Sequence, residues 1–424
     1  MQNLISRWAM ACVLAVSALS CPAAELTARQ AEEDTALLLH ALQTLHPALT
    51  KYRTEADMEA AFARFGARGE AARTPAELYL AATELAAAIR CGHTWTNVRN
   101  QSGTTRALLL DGADKLPVTV TWVEGRWLVL ASTVDAVRPG DAITAINGIP
   151  AVQLVQALMP YLRADGSSDG KRLRQLGHDR PDYSQMDILL PLLSPPQNGN
   201  YELGLERGAH SLSASVPATS LAAREKTLAA QGTKAVDEQW RFTVQGDTAT
   251  LTLPTFSFWN SKFDWAAFLE QAFARLGADH VPYLVIDIRD NEGGDGAIGN
   301  KLLSHLIRQP LGYLPSQSVT RYERIPTDLL RYLDTRDKSF FDRTGDVAPI
   351  TEGTAAGKFQ LKSRPPLQRF IQPQGTAYAG VTYLLVGPEN SSATFALADL
   401  AQRSGAATLV GQPTGGNQRG LNGG

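Results

Sequence analysis

Three short stretches carry residue types that could act together in one reaction. In PENSSATFALAD, residues 388–399, two adjacent serines stand between an apolar run, YLLVG, and a helical pattern. A buried strand ending at Gly387 and a helix from about Ser392 would set a hydroxyl at the positive end of that helix. First-turn N–H groups lack intrahelical partners there and can hold an oxyanion. Serine is also a preferred N-cap, so this stretch alone reads either way. In IDIRDNEGGDG, residues 286–296, a buried strand runs into Gly293 and Gly294. Paired glycines let a backbone approach a ligand and point N–H groups at it, though alone they mark only a tight turn. RCGHTWTN, residues 90–97, supplies His93, and a histidine of near-neutral pKa can take a proton from serine. Of seven histidines, His40 and His46 lie in or beside the first helix, and His178, His210, His280 and His305 read as turn or surface positions. None sits in an HExxH pattern, and Cys91 has no sequence partner for a zinc site.

The elements that would position these residues follow from periodicity. Residues 25–49 have apolar positions at helical spacing and stop at Pro47. A second helix begins at Thr54, with Asp57 three later. A third has Thr74, Pro75 and Glu77 as cap, first-turn proline and capping-box acid, and runs to about Arg90. From about Leu116 the texture changes to short alternating strands, with Glu124-Gly125 as a hairpin turn. From Trp240 onward strands and helices alternate, which implies an α/β core with largely parallel pairing. Residues 324–374, irregular and rich in charge, Pro and Gly, read as an insertion or lid.

The chain has 424 residues, long enough for several domains, and a formal charge of −2 with no basic tract, which argues against nucleic-acid binding. The start, MQNLISRW followed by AMACVLAVSALSCPAA, reads as a secretory signal peptide cleaved after Ala24, with a lipobox at Cys21 as the second reading. Only Cys91 then remains of three cysteines, so no intramolecular disulfide framework is expected. The mature chain is read as exported, periplasmic or secreted, with no integral membrane span. Its end, within the glycine-rich PTGGNQRGLNGG, reads as a fragment lacking its last core elements.

Together these motifs resemble the C-terminal processing (tail-specific) serine peptidases, and more narrowly the branch related to the tricorn protease core and the interphotoreceptor retinoid-binding protein. DIRDNEGG resembles the family's glycine turn. Ser392-Ala393, followed at the family's spacing by VGQPTGG, resembles its nucleophile motif and selects Ser392 over Ser391. RPGDAITAINGIPA, residues 138–151, is similar to its PDZ-like module. The resemblance implies an α/β multidomain chain: signal peptide 1–24, helical region 25–112, PDZ-like module 113–220, and an incomplete crotonase/ClpP-like core 235–424. Two departures stand out. The family's catalytic lysine position holds Asn417, and a helix glutamate found in many members is Phe395. The tricorn-like branch instead resembles GHT, residues 92–94, in its use of histidine, and draws an orienting group from beyond the glycine turn, outside this chain.

The resulting expectation is an exported serine peptidase acting on peptide or protein substrates without a metal or organic cofactor. Ser392 is the nucleophile and His93 the base, and backbone N–H groups of Ala393 and of Gly293 or Gly294 form the oxyanion hole. A non-catalytic peptide- or lipid-binding protein, or an esterase or amidase, are the alternatives on the same scaffold. Oligomeric state is left open.

Overall fold

A computed structural model describes residues 25–419 apart from 181–182, 234–238, 260, 315–317, 336 and 365–366. The signal-peptide reading, with Cys12, Cys21 and Ala24, lies outside the described residues. Three helices open the fold: α1 (Ala28–Leu45), α2 (Glu55–Ala71) and α3 (Pro75–Ala88). Each starts at a threonine, Thr27, Thr54 or Thr74, that forms a complete capping box with the residue three later. Their apolar faces meet through Leu38, Leu42, Met58, Phe65, Leu85 and Ile89. A short helix, α4 (Gly103–Leu110), leads to the second unit.

That unit is an antiparallel sheet of order β1-β2-β3-β5-β6, built from β1 (Val118–Val123), β2 (Arg126–Ser132), β3 (Ala142–Ile146), β5 (Asn200–Arg207) and β6 (His210–Pro217), with β4 (Ile149–Pro150) beside β3. Glu124 and Gly125 both have positive φ, 49° and 82°, as a two-residue hairpin turn between right-twisted strands requires. Helices α5 (Ala151–Leu158), α6 (Asp169–Arg174) and α7 (Met186–Leu193) come between β4 and β5, and α8 (Leu221–Ala230) follows β6. Alternate residues Val118, Val120, Trp127, Val129, Leu203 and Leu205 face inward against Leu154 and Leu158 of α5. His178, expected in a turn or on the surface, is instead buried. It bonds to Asp187 at 3.2 Å, while Arg224 clamps the same carboxylate through both oxygens at 2.8 and 2.7 Å.

The core sheet is assembled from β7 (Arg241–Gln245), β8 (Thr248–Thr252), β9 (Tyr283–Asp287), β15 (Val381–Val386) and β16 (Thr408–Gly411), in the order β16-β15-β9-β8-β7. All pairs are parallel except the β7–β8 hairpin. Parallel neighbours need crossovers. These are α9 (Trp265–Ala278), α10 (Gly296–Ser304) and α11 (Ser392–Ser404). Leu251, Leu284, Ile286, Leu384 and Val386 pack on Leu269, Ile298, Leu302 and Leu397, each such burial contributing roughly 1.5–3 kcal/mol. Between α10 and β15 lie two small antiparallel sheets. One pairs β10 (Leu311–Tyr313) with β14 (Arg369–Ile371); the other joins β11 (Val319–Thr320), β13 (Phe359–Leu361) and β12 (Val347–Pro349). Tyr322, Ile325 and Leu329 of this insertion pack on Leu37, Ala41 and Leu45 of α1. No helix among the described residues is long and apolar enough to cross a membrane.

Burial opposes the charge on Asp187, but His178 and Arg224 outweigh it and hold its carboxyl well below the usual carboxylate range. A depressed carboxylate stabilises the fold above the unfolded pKa of about 3.9 and loses that contribution as pH falls. Asp187→Asn, which strands the buried Arg224, should destabilise the second unit by roughly 3–5 kcal/mol at pH 7. Urea melts followed by tryptophan fluorescence will check this, and the deficit against wild type should shrink below about pH 4.

Candidate active site

Strands β9 and β15 are adjacent and parallel, with Leu385 opposite Asp287, so their carboxyl ends deliver two turns side by side. Two asparagines with no exposed surface knit these turns together. Asn291 donates to the Leu253 carbonyl at 2.7 Å and accepts from the Gly293 amide at 2.9 Å. Asn390 accepts from the Gly387 amide at 2.8 Å and donates to the carbonyls of Ile288 and Asn291.

Ser392 opens α11 with φ +53°, a left-handed conformation that costs a non-glycine residue about 1–3 kcal/mol. Such a strand–turn–helix corner lifts a serine hydroxyl clear of the sheet. The helix-cap reading is corrected here. The residue before the helix is Ser391, and its side chain makes no capping bond. Gly293 and Gly294 have φ of 123° and 133°, open in practice only to glycine. A Cβ on Gly293 would come within 3.0 Å of the Ser392 Cβ and 3.1 Å of the Ala393 nitrogen; one on Gly294 would meet the Phe256 carbonyl at 2.4 Å. The Gly293 amide, one of the expected oxyanion donors, is engaged by Asn291. The amides of Gly294 and Ala393 donate to no acceptor among the described residues.

A cluster of charge ties this corner to the other two units. Lys171 of α6, 2% exposed, donates to Glu292 at 2.8 Å and to the Ser391 hydroxyl at 2.6 Å. Ser391 also bonds to the Glu292 carbonyl at 3.1 Å, so this serine is buried and engaged. Arg163 donates to Glu292 at 2.8 Å, stacks on the Trp95 ring at 4.1 Å and donates to the Gly92 carbonyl. Burial opposes ionisation of Glu292, but Lys171, Arg163 and Arg180 outweigh it and keep the carboxyl strongly acidic, although 37% of the side chain is exposed. Arg180 pairs in turn with buried Glu389 at 2.7 Å.

Through the Gly92 bond the same clamp carries His93. His93 is exposed to solvent as a residue, yet the groups packed around it lower its pKa, first by desolvation; Arg163 and Lys171 depress it further, against Asp165 and Glu292. Asp165, 3% exposed, accepts from the Gly92 amide at 2.8 Å. Behind the loop, His46 accepts from the Ala48 amide through Nδ1 and meets the Thr94 hydroxyl at 2.9 Å through Nε2. Burial, then Arg321 and Lys358, lower the His46 pKa to about 4, so it is neutral near pH 7. Asn417 accepts from the Tyr52 hydroxyl at 3.1 Å. A cavity of about 450 Å³ lined by Leu306, Leu311, Tyr378 and Ala406 opens at the start of β15, the far end of the sheet from Ser392.

Residues 247–421 match peptidase family S41, which makes this part of the chain an S41 domain and the protein a serine-type peptidase. The fold is similar to that of mature CPAF complexed with lactacystin (TM-score 0.57, 16% identity, 92% of this chain and 85% of that one) and of mature CPAF alone (0.57, 16%, 91% and 84%). A further match is the photosystem II D1 C-terminal processing protease (0.37, 16%, 92% and 82%). Among curated proteins no sequence matches.

Sequence reasoning missed Lys171, Arg163 and Asp165. Lys171→Met should leave the core folded, by circular dichroism, yet lower turnover roughly a hundredfold, because a shift of about 1 Å at the glycine turn suffices for that. Gly294→Ala should abolish activity, since its Cβ has no room.

Proposed function

We propose that the protein is an exported peptidase in which Ser392 attacks the scissile carbonyl and His93 takes the hydroxyl proton, later returning it to the leaving amine. The observation that carries this reading is the corner itself: Ser392 strained at φ +53° where a helix begins, with Gly293 packed against its Cβ. The oxyanion is held by the amides of Ala393 and Gly294. Asp165, beside His93, orients the imidazole and stabilises its charged form, a role first expected from beyond the end of the chain. Asn417 takes no part in proton transfer, as an amide has no basic lone pair at neutral pH. Residues 113–220 act as a PDZ-like module joined to a crotonase/ClpP-like core, and a substrate peptide binds extended, through main-chain hydrogen bonds to a strand edge.

A fluorophosphonate serine probe tests the reading. Wild type should label, and Ser392→Ala and His93→Ala should not; labelling that survives in Ser392→Ala would overturn the assignment. The base must be neutral to act, and its pKa is depressed, so the acid limb of labelling rate against pH should fall below the ordinary histidine value of about 6.5. Asp165→Asn removes the anion that raises this pKa and should move the limb to still lower pH.

A further inference from the structure

The spacing of Cys91 offered it no metal partner in sequence, but the fold supplies two. The Cys91 sulfur, a His93 ring nitrogen and an Asp165 carboxylate oxygen all lie within 4.8 Å of one another. Cys91 and Asp165 are buried, and His93 opens to solvent, which gives an entry path. The geometry points to a divalent-cation site of the zinc class at Cys91, His93 and Asp165, a site that sequesters the base and switches the peptidase off.

A thiol, an imidazole and one carboxylate suit a borderline-soft ion such as Zn²⁺ and disfavour Mg²⁺ or Ca²⁺, which want oxygen cages. Tetrahedral zinc places S, N and O donors about 3.3–3.6 Å apart, so each side chain must draw in by about 1 Å or less. The supports are those a metal centre requires. The Gly92 amide fixes the Asp165 carboxylate at 2.8 Å, and the loop is pinned by the Gly166 amide on the Arg90 carbonyl at 2.9 Å. Arg90 has φ +58°, so the chain is bent sharply just before Cys91, at the point where the helix hands over to the ligand loop. On binding, the Cys91 thiol loses its proton to solvent and the thiolate and the imidazole lone pair donate to the ion. Water takes the fourth position. Thr94, hydrogen-bonded to the thiol, stays as an outer partner. Lys51, Arg163 and Lys171 lie near enough to oppose a cation and Glu292 to favour it, so the affinity suits a reversible ligand better than a permanent one. Once His93 is coordinated, its lone pair is no longer available to Ser392. The inhibitory half of this inference rests on the Ser392–His93 reading; the binding half does not.

Titrating the metal-free full chain with Co²⁺ separates the two. A thiolate-to-cobalt charge-transfer band with tetrahedral visible bands, displaced by Zn²⁺ and lost in Cys91→Ala, Cys91→Ser and Asp165→Asn, is the expected result. Absence of the thiolate band, or an unchanged band in Cys91→Ala of native circular dichroism, overturns the site. In parallel, Zn²⁺ should block fluorophosphonate labelling of wild type. Cys91→Ala should label normally and need at least about tenfold more Zn²⁺ for the same block. A cobalt band without any block of labelling would overturn the inhibitory role.

Discussion

Glu292 is the residue on which the arrangement turns. It sits between Asn291 and Gly293 in the core, and two cations from the second unit, Arg163 and Lys171, meet the same carboxylate oxygen at 2.8 Å each. Lys171 reaches on to Ser391, next to Ser392, and Arg163 reaches on to Gly92, next to His93. One carboxylate thus sets the relation between three segments far apart in the chain. Two like charges would repel at this range; Glu292 makes their convergence favourable, and the nearly complete burial of Lys171 keeps solvent from screening it. Were Glu292 absent, two cations would be left facing each other beside Ser391.

The corner is held tightly because it is strained. Ser392, Gly293 and Gly294 all have positive φ, and conformations of this kind persist only where the surroundings over-determine them. Asn291 and Asn390 do so here. Both are fully buried, and their side chains satisfy backbone groups that the strand ends would otherwise leave unpaired. One consequence is chemical: Asn291 engages the Gly293 amide, and the proposal therefore assigns the oxyanion to the amides of Gly294 and Ala393.

Much of this was legible in the sequence. The three helix starts, the Glu124-Gly125 turn, the parallel core and the pairing of the glycine turn with the serine helix all rest on local signals: capping residues, period and turn chemistry. The clamp was not. Lys171 lies 121 residues from Glu292 and 220 from Ser391, in the polar stretch SSDGKRLRQ, to which the sequence motifs assign no role. Its burial is created by α6 docking on the core, and no periodicity announces that. Asp165 and Cys91 were hidden likewise, since only the closure of loop 90–93 on residues 163–167 brings them together. The Gly293 amide could have been read, because an Asn two residues before a glycine is a familiar side-chain–backbone turn. His178 looked like a loop residue for want of its partners Asp187 and Arg224, which come later in the chain.

The central claim is that the reactive hydroxyl belongs to Ser392 and that Ser391 beside it is a structural anchor for Lys171. Mass-spectrometric mapping of the fluorophosphonate adduct on the wild-type chain distinguishes the two directly, because fragment ions resolve adjacent serines. The account predicts the adduct on Ser392 alone. An adduct on Ser391 would make Lys171 its base, and would contradict the assignment of both the nucleophile and His93.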